Sequence, residues 1–177
     1  MFEMLVPKLR VNTVFDIPLE ELYTKGYRGI ITDLDNTLVG AKAPLATPEL
    51  LLWFEKVKQF GFKLIIVSNN NMDRVSRFAT PLNIEFVHQA RKPSNAPFRK
   101  AMKQMDLSPE QIIVVGDQML TDVYGGNRLG LYTVLVLPIS VRDEGIGTRI
   151  NRRIEQIALT RLRKQGLWHE QEEEELK

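Results

Sequence analysis

Three aspartates, a serine and a lysine stand where they could do chemistry together. Asp33 and Asp35 frame Asp33-Leu34-Asp35-Asn36-Thr37, and Ser68 opens Ser68-Asn69-Asn70. Lys92 lies in Arg91-Lys92-Pro93-Ser94, and Asp117 follows Gly116 with Thr121 and Asp122 close behind. Asp33, Ser68, Lys92 and Asp117 succeed one another at intervals of 35, 24 and 25 residues. Gathered in one crevice, the three carboxylates of Asp33, Asp35 and Asp117 would repel one another unless a cation sat among them. The chain has no cysteine and no histidine pair near these positions. An oxygen-only donor set suits a hard ion, with Mg²⁺ the natural choice, joining one or two carboxylates to a substrate phosphate. Ser68 and nearby backbone N–H groups can donate to phosphate oxygens, and Lys92 supplies a point charge for the same dianion. With that charge neutralised, Asp33 could attack phosphorus in line. Asp35 would protonate the leaving alkoxide, then deprotonate the water that hydrolyses the aspartyl phosphate.

Each signal is weak alone. Two aspartates one residue apart are common in turns, Ser-Asn-Asn suits a strand-to-helix turn, and Asp117 could cap a helix. A lone Lys92 would be a solvated surface lysine. Their order, each near a strand end, is what gives them weight. Asn69 and Asn70 are placed to touch a substrate, and Thr37 is expected to shape the first loop by bonding a nearby backbone group. His88 is read as an ordinary strand-end residue, His169 carries no argument, and Trp53 is expected to pack in the core or at its boundary.

Positioning these groups requires a scaffold. Five short Ile/Val-rich runs are expected as strands: 29–35, 63–69, 84–89, 111–117 and 131–138. They are nearly continuous rather than alternating, as in a parallel sheet covered on both faces. Between them lie helical segments. Thr47-Pro48-Glu49 supplies a cap and first turn, Leu50, Leu51, Phe54 and Val57 an apolar face, and Gly61 a stop. Asn71–Phe78, Ser94–Met105 and Met119–Leu129 are the next helices. Ser108 with Gln111 resembles a capping box with too little chain after it for a long helix. Pro18–Tyr23 is a short lead-in helix. This alternation predicts a doubly wound α/β fold, in which ligands bind beyond the carboxyl ends of the strands at the switch in strand order.

The composition sets outer limits. The chain has 177 residues, 44 % hydrophobic and 26 % charged, with a formal net charge of +2. That is ordinary globular usage, with enough length for one domain and too little positive charge to imply nucleic acid. The apolar runs are too short to cross a bilayer, and the N-terminal stretch makes a poor signal peptide, so a cytoplasmic protein is expected. The chain divides into a lead-in segment (1–26), a core (27–140), a basic amphipathic helix (141–169) and an acidic tail (170–177). In the helical part, Ile150, Ile154, Ile157, Ala158 and Leu162 form one stripe. Arg149, Arg152, Arg153, Arg161, Arg163 and Lys164 stand against a single acid, Glu155. The stripe is expected to pack this helix onto the sheet. A rival reading lays it on an anionic membrane surface, and both hold if the arginines face outward.

The ordered motifs resemble those of the haloacid dehalogenase (HAD) phosphatase superfamily. DLDNT matches its first motif, Ser68 the second, Lys92 the third and GDQMLTD the fourth. The resemblance spans residues 27–138 and implies a Rossmannoid three-layer α/β/α fold with a five-stranded, mainly parallel sheet. It implies Asp33 as nucleophile and Asp35 as acid/base. It also implies Mg²⁺ bound by Asp33, Asp117 and the backbone carbonyl of Asp35, with Asp122 supporting. More narrowly, VFDIP…GYRGIITDLDNTLV and RINRRIE resemble subfamily IIIA of the YqeG type, which is similar to mitochondrial phosphatidylglycerophosphate phosphatases. The intervals between motifs hold only a loop and a helix, then a helix and a strand. They leave no room for the cap domain other members insert, so the fold is expected to be capless (C0 type) with an open site. An open site suits a phosphate on a large substrate such as a lipid headgroup, or a small one covered by a second subunit in an oligomer. Three alternatives stand beside a lipid phosphatase: a phosphatase for a soluble sugar or nucleotide phosphate, a non-catalytic phosphate-binding scaffold, and a phospho-receiver domain. The acid two residues after Asp33 favours ester hydrolysis over a receiver, because a leaving group must be protonated.

Overall fold

A computed structural model describes residues 2–140 and 145–168. The acidic run 170–177 and His169 lie outside the described residues. Six strands form one sheet: β1 (Leu9–Val11), β2 (Gly29–Thr32), β3 (Lys63–Val67), β4 (Glu85–Val87), β5 (Ile112–Gly116) and β6 (Tyr132–Val136). Their order is β1-β6-β5-β2-β3-β4, and every pairing is parallel. The sheet thus has six strands rather than the expected five, and it is wholly parallel. The sixth strand comes from the lead-in segment, where Leu9 pairs with Val134 at the sheet edge. Three residues with an arginine at the centre carry too little β pattern to be read as a strand; the edge of β6 supplies the hydrogen bonds that make them one.

The continuous apolar runs split cleanly between two faces, as the two-residue period of a strand requires. Ile30, Ile66, Ile113, Val115 and Val134 join one core, and Ile31, Ile65, Val67, Ile112 and Val114 the other. The first face is covered by α1 (Leu19–Thr24), α2 (Pro48–Gln59) and α3 (Met72–Ala79), the second chiefly by α4 (Asn95–Met105). Thr47 caps α2 by accepting from Leu50 N at 3.2 Å. Leu50, Trp53 and Val57 form its buried face, whereas Leu51 is turned to solvent. Asn71 caps α3, accepting from Arg74 N at 2.9 Å. Pro109–Gln111 closes only a single 3₁₀ turn, as the short remaining chain requires. No domain is inserted between β2 and β3 or between β3 and β4, so the fold is capless.

Two segments depart from expectation. Met119–Leu129 is not one helix: a π-helical turn over Met119–Val123 leads into the short α5 (Tyr124–Asn127). Such widened turns are frequent at functional sites, and this one places Asp122 beneath Gly116. The second is α6 (Ile146–Lys164). Of its expected apolar stripe, only Ala158 and Leu162 are buried, against Leu5 and Met119. Ile150, Ile154 and Ile157 are 53 %, 47 % and 58 % exposed, while Glu155 is buried. The helix meets the protein with the Glu155, Ala158 and Leu162 side rather than the isoleucine side its hydrophobicity alone predicts, because polar partners hold Glu155 and Arg152 inward.

Candidate active site

A parallel sheet brings all its carboxyl ends to one edge. β2 lies between β3 and β5, so Asp33, just after β2, is flanked by Ser68 after β3 and Asp117 after β5. Chain order reverses here: after β2 the chain builds β3 and β4 on one side, then crosses to β5 and β6 on the other. The crevice at this edge has a volume of about 450 Å³, lined among others by Asp33, Asp35, Ser68, Lys92 and Asn151.

The loop after β2 is locked by its own backbone. Asp33 N donates to Val115 O at 2.9 Å, and Asn36 N to Val39 O at 2.7 Å. Asn36 adopts φ 67°, a left-handed turn that asparagine tolerates. The second and third groups are fastened together. Ala90 N donates to Ser68 O at 3.0 Å, and Lys92 N to Asn69 Oδ1 at 2.7 Å. Asn69 therefore holds the lysine loop, and Ser68 Oγ accepts from Asn70 N at 3.1 Å.

Lys92 Nζ bridges two buried carboxylates, donating to Asp33 Oδ1 and Asp122 Oδ1 at 2.7 Å each. Gly116 makes that bridge possible: a Cβ there would stand 2.2 Å from the Asp122 carboxyl carbon. Asp122 Oδ2 accepts from Thr121 Oγ1 at 3.1 Å and Gln118 N at 3.3 Å. Thr37 does not bond a nearby backbone group as expected. Its buried hydroxyl donates to Asp117 Oδ1 at 3.1 Å, because Asp117 is adjacent only once β2 and β5 pair.

Burial dominates the electrostatics. Desolvation pushes the Asp33 carboxyl up to about 6, with Lys92 opposing and Asp122 adding to the rise. Desolvation together with the charges of Asp33 and Asp122 pushes Asp117 up to about 8, with Arg152 opposing. For Lys92 desolvation acts downward, but Asp122 and Asp33 outweigh it and its pKa lies above the ordinary lysine value. The crevice floor thus holds more negative charge than Lys92 alone can neutralise.

Asp35 stands apart on the rim. Arg74, in the first turn of α3, donates from Nε and Nη2 to Asp35 Oδ1 at 3.0 and 2.8 Å. Asn70 Nδ2 donates to Asp35 Oδ2 at 2.9 Å. From the opposite side Arg152 of α6 reaches Asp117, and Glu155 Oε1 accepts from Leu120 N at 3.0 Å. Burial raises the Glu155 pKa, opposed by the Leu120 N–H and Arg152. Sequence reasoning missed Arg74, Arg152 and Glu155 as site neighbours. A signal existed for Glu155, the only acid in a basic helix; Arg74 and Arg152 look like any surface arginine. His88 does not line the crevice.

Among the described residues no three acidic or histidine side chains form a self-sufficient metal cage. The buried donors are fewer: hard carboxylate oxygens from Asp33, which lines the crevice, and from Asp117, which lies behind that lining under Arg152 and Thr37. Such a set fits a divalent cation that completes its shell with carbonyl, water or phosphate oxygens.

A HAD-hydrolase-like family model matches residues 89–143. The probable phosphatase YqeG of Bacillus subtilis is 48 % identical over 161 residues, covering 91 % of this chain and 93 % of that protein. The chloroplastic/mitochondrial phosphatidylglycerophosphate phosphatase 1 of Arabidopsis thaliana is 30 % identical over 175 residues, covering 93 % of this chain and 50 % of the relative. Among solved structures, the cobalt-bound form of the deoxy-D-mannose-octulosonate 8-phosphate phosphatase YrbI from Haemophilus influenzae superposes with a TM-score of 0.53 at 16 % identity. That match covers 80 % of this chain and 91 % of that one, and it bears on the fold alone.

Proposed function

The chain belongs to the HAD-superfamily phosphatases of the YqeG type, hydrolases of phosphoric monoesters, and from that membership we propose a Mg²⁺-dependent reaction through an aspartyl phosphate on Asp33. The observation that carries this reading is the buried Asp33–Lys92–Asp122 bridge beside a protonation-prone Asp117. Asp33, Asp117 and the Asp35 backbone carbonyl would hold Mg²⁺, which when bound supplies charge neutralisation for the incoming phosphate. Ser68 and Asn69 bind phosphate oxygens; the Ser68 hydroxyl, accepting from Asn70, keeps its own proton to donate. Lys92 holds Asp33 in place and offsets the dianion, while Asp122 and Thr37 support Lys92 and Asp117.

In the first step the free Asp33 oxygen forms a bond to phosphorus, and the bond from phosphorus to the ester oxygen breaks. Asp35 gives its proton to that departing oxygen. Asp35 then takes a proton from water, whose oxygen attacks phosphorus, releasing inorganic phosphate and restoring Asp33. Arg74 and Asn70 hold both Asp35 oxygens, so these contacts must loosen for proton transfer.

The favoured substrate is phosphatidylglycerophosphate or a closely similar lipid phosphomonoester. The likeness to the Arabidopsis enzyme supports it, as does the capless crevice. The catalytic unit is assigned to residues 27–140, with 1–26 adding the edge strand. Residues 141–169 carry peripheral contact with an anionic membrane face. Ile150, Ile154 and Ile157 share one exposed face of α6, beside Arg153 and Arg161, a combination that suits such a surface. The first turns of the same helix border the crevice through Gly147, Thr148 and Asn151. Among the described residues no helix is long and apolar enough to cross a membrane.

The test is phosphate release from phosphatidylglycerophosphate in mixed micelles, with and without Mg²⁺, beside a panel of soluble phosphomonoesters and Asp33→Asn. Mg²⁺-dependent release from the lipid, lost in Asp33→Asn, is the expected result. Release from soluble esters alone overturns the lipid substrate, and an active Asp33→Asn enzyme overturns the covalent route.

A further inference from the structure

Helix α6 sends one cation into the site from outside the reacting groups. Arg152 Nη1 donates to the Asp117 backbone oxygen at 2.6 Å, and Nη2 donates to Asp117 Oδ2. The other carboxylate oxygen of Asp117 accepts from Thr37. Between them these donors leave the Asp117 side chain no exposed surface. The Arg152 side chain is itself 19 % exposed, and Glu155 Oε2 lies 3.5 Å from its Nη1.

A divalent cation that takes Asp117 meets a charge already seated there. Two cations on one buried carboxylate repel each other strongly, because little water screens them. Lysine or histidine could yield by losing a proton. Arginine cannot, since its pKa lies far above any working pH. It must yield by moving; its side chain is partly exposed, and Glu155 stands beside it as an acceptor.

We propose that Arg152 is an internal counter-cation that competes with the metal for Asp117. It covers the carboxylate while the metal is absent and turns toward Glu155 and the crevice when the metal binds. This rests on the metal reading of Asp117 given above. Arg152 is a positioning residue here, acting through Asp117. Its movement also couples α6 to the site, because the helix is fastened to the Asp117–Leu120 segment by neighbouring polar contacts. Asn151 Nδ2 donates to Gln118 Oε1 at 3.3 Å, and Glu155 accepts from Leu120 N at 3.0 Å. Glu155 keeps α6 docked when Arg152 leaves Asp117.

The test is calorimetric titration of Mg²⁺ into the full-length wild type, Arg152→Gln and Arg152→Lys, with melting temperatures measured in chelator and in saturating Mg²⁺. Arg152→Gln should bind Mg²⁺ on the order of tenfold more tightly, since nothing competes for Asp117. Arg152→Lys, which keeps a charge but not the two-pronged grip, should fall between. The melting temperature of Arg152→Gln should drop below wild type in chelator and recover in Mg²⁺, a split that a merely structural arginine would not give. If Arg152→Gln does not fold, tighter binding by Arg152→Lys carries the same conclusion. Equal or weaker Mg²⁺ binding in the variants, with normal binding to wild type, overturns this proposal alone and makes Arg152 a support for the ligand. Failure of wild type and variants alike to bind Mg²⁺ overturns the metal reading and this proposal with it.

Discussion

The crevice has a dry floor and a wet rim, and both are built from carboxylates paired with cations. On the floor, Lys92 and its partners Asp33 and Asp122 have side chains only 3 %, 8 % and 2 % exposed. On the rim, Arg74 and Asp35 are 16 % and 19 % exposed. Burial takes hydration away from the floor charges, so their pairing has to replace it and any imbalance appears as a raised proton affinity. The rim charges keep some water, so their pairing is worth less and can be exchanged during a reaction. A fixed floor suits a nucleophile that must stay aimed. An adjustable rim suits a group that must give and take a proton.

The largest effect is expected at the floor. Asp33→Asn should lower turnover by about four orders of magnitude or more, as when a nucleophile is removed. Because desolvation dominates at Asp33, its melting temperature in chelator should match or exceed wild type. A large loss of stability would show that Asp33 holds the floor together rather than straining it.

Lys92→Ala should come next. It leaves Asp33 and Asp122 buried without their shared cation, at a cost of about 3–5 kcal/mol in denaturant unfolding. A cost below about 1 kcal/mol would place the floor in the same class as the rim.

Proton linkage separates the two regions in another way. Asp33 is pushed up to about 6 and Asp117 up to about 8, both by burial first. The folded chain therefore binds more protons than the unfolded chain above the ordinary aspartate range. Metal-free stability should fall as pH rises from about 4 toward 8, with the Asp33 share gone by about 6. Saturating Mg²⁺ should flatten that slope, because a bound cation replaces the proton. Melting curves at pH 5, 6, 7 and 8 in chelator and in Mg²⁺ check this, and a metal-free slope of opposite sign would overturn it.

The smallest effect is expected on the rim. Arg74→Gln should cost no more than about 1 kcal/mol, in keeping with a partly solvated pair. It should nevertheless change turnover, since it removes one of the two side chains that hold Asp35. Unchanged turnover would mean that Arg74 has already left Asp35 when the reaction occurs.

Much of this architecture was legible in the chain. Ile30-Ile31 and Ile112-Ile113-Val114-Val115 have no period-two polarity because both faces of the sheet are covered, and that is visible in a string of letters. The Asp33, Ser68, Lys92 and Asp117 set was legible because each follows a strand, and parallel strands deliver their carboxyl ends to one edge. The lead-in strand Leu9–Val11 was not, since its identity depends on the open edge of β6 and not on its own residues. The same holds for Met119–Val123, where an expected α-helix widens to seat Asp122 under Gly116.

Helix α6 shows where the boundary falls. Its helical period and basic character follow from residue spacing, and the isoleucine stripe suggested which side would face inward. The fold buries Glu155, Ala158 and Leu162 instead and leaves Ile150, Ile154 and Ile157 outside. Periodicity states which residues share a face, but not which face meets the protein. That choice was made by two polar anchors, Arg152 on Asp117 and Glu155 on Leu120 N, each joining positions 35 residues apart. The sequence by itself determined five of the six strands, the order of the candidate site residues and the chemistry their types allow. Only the tertiary structure decided how α6 is turned and which arginine reaches the site, because a buried carboxylate recruits its partner through space, not along the chain.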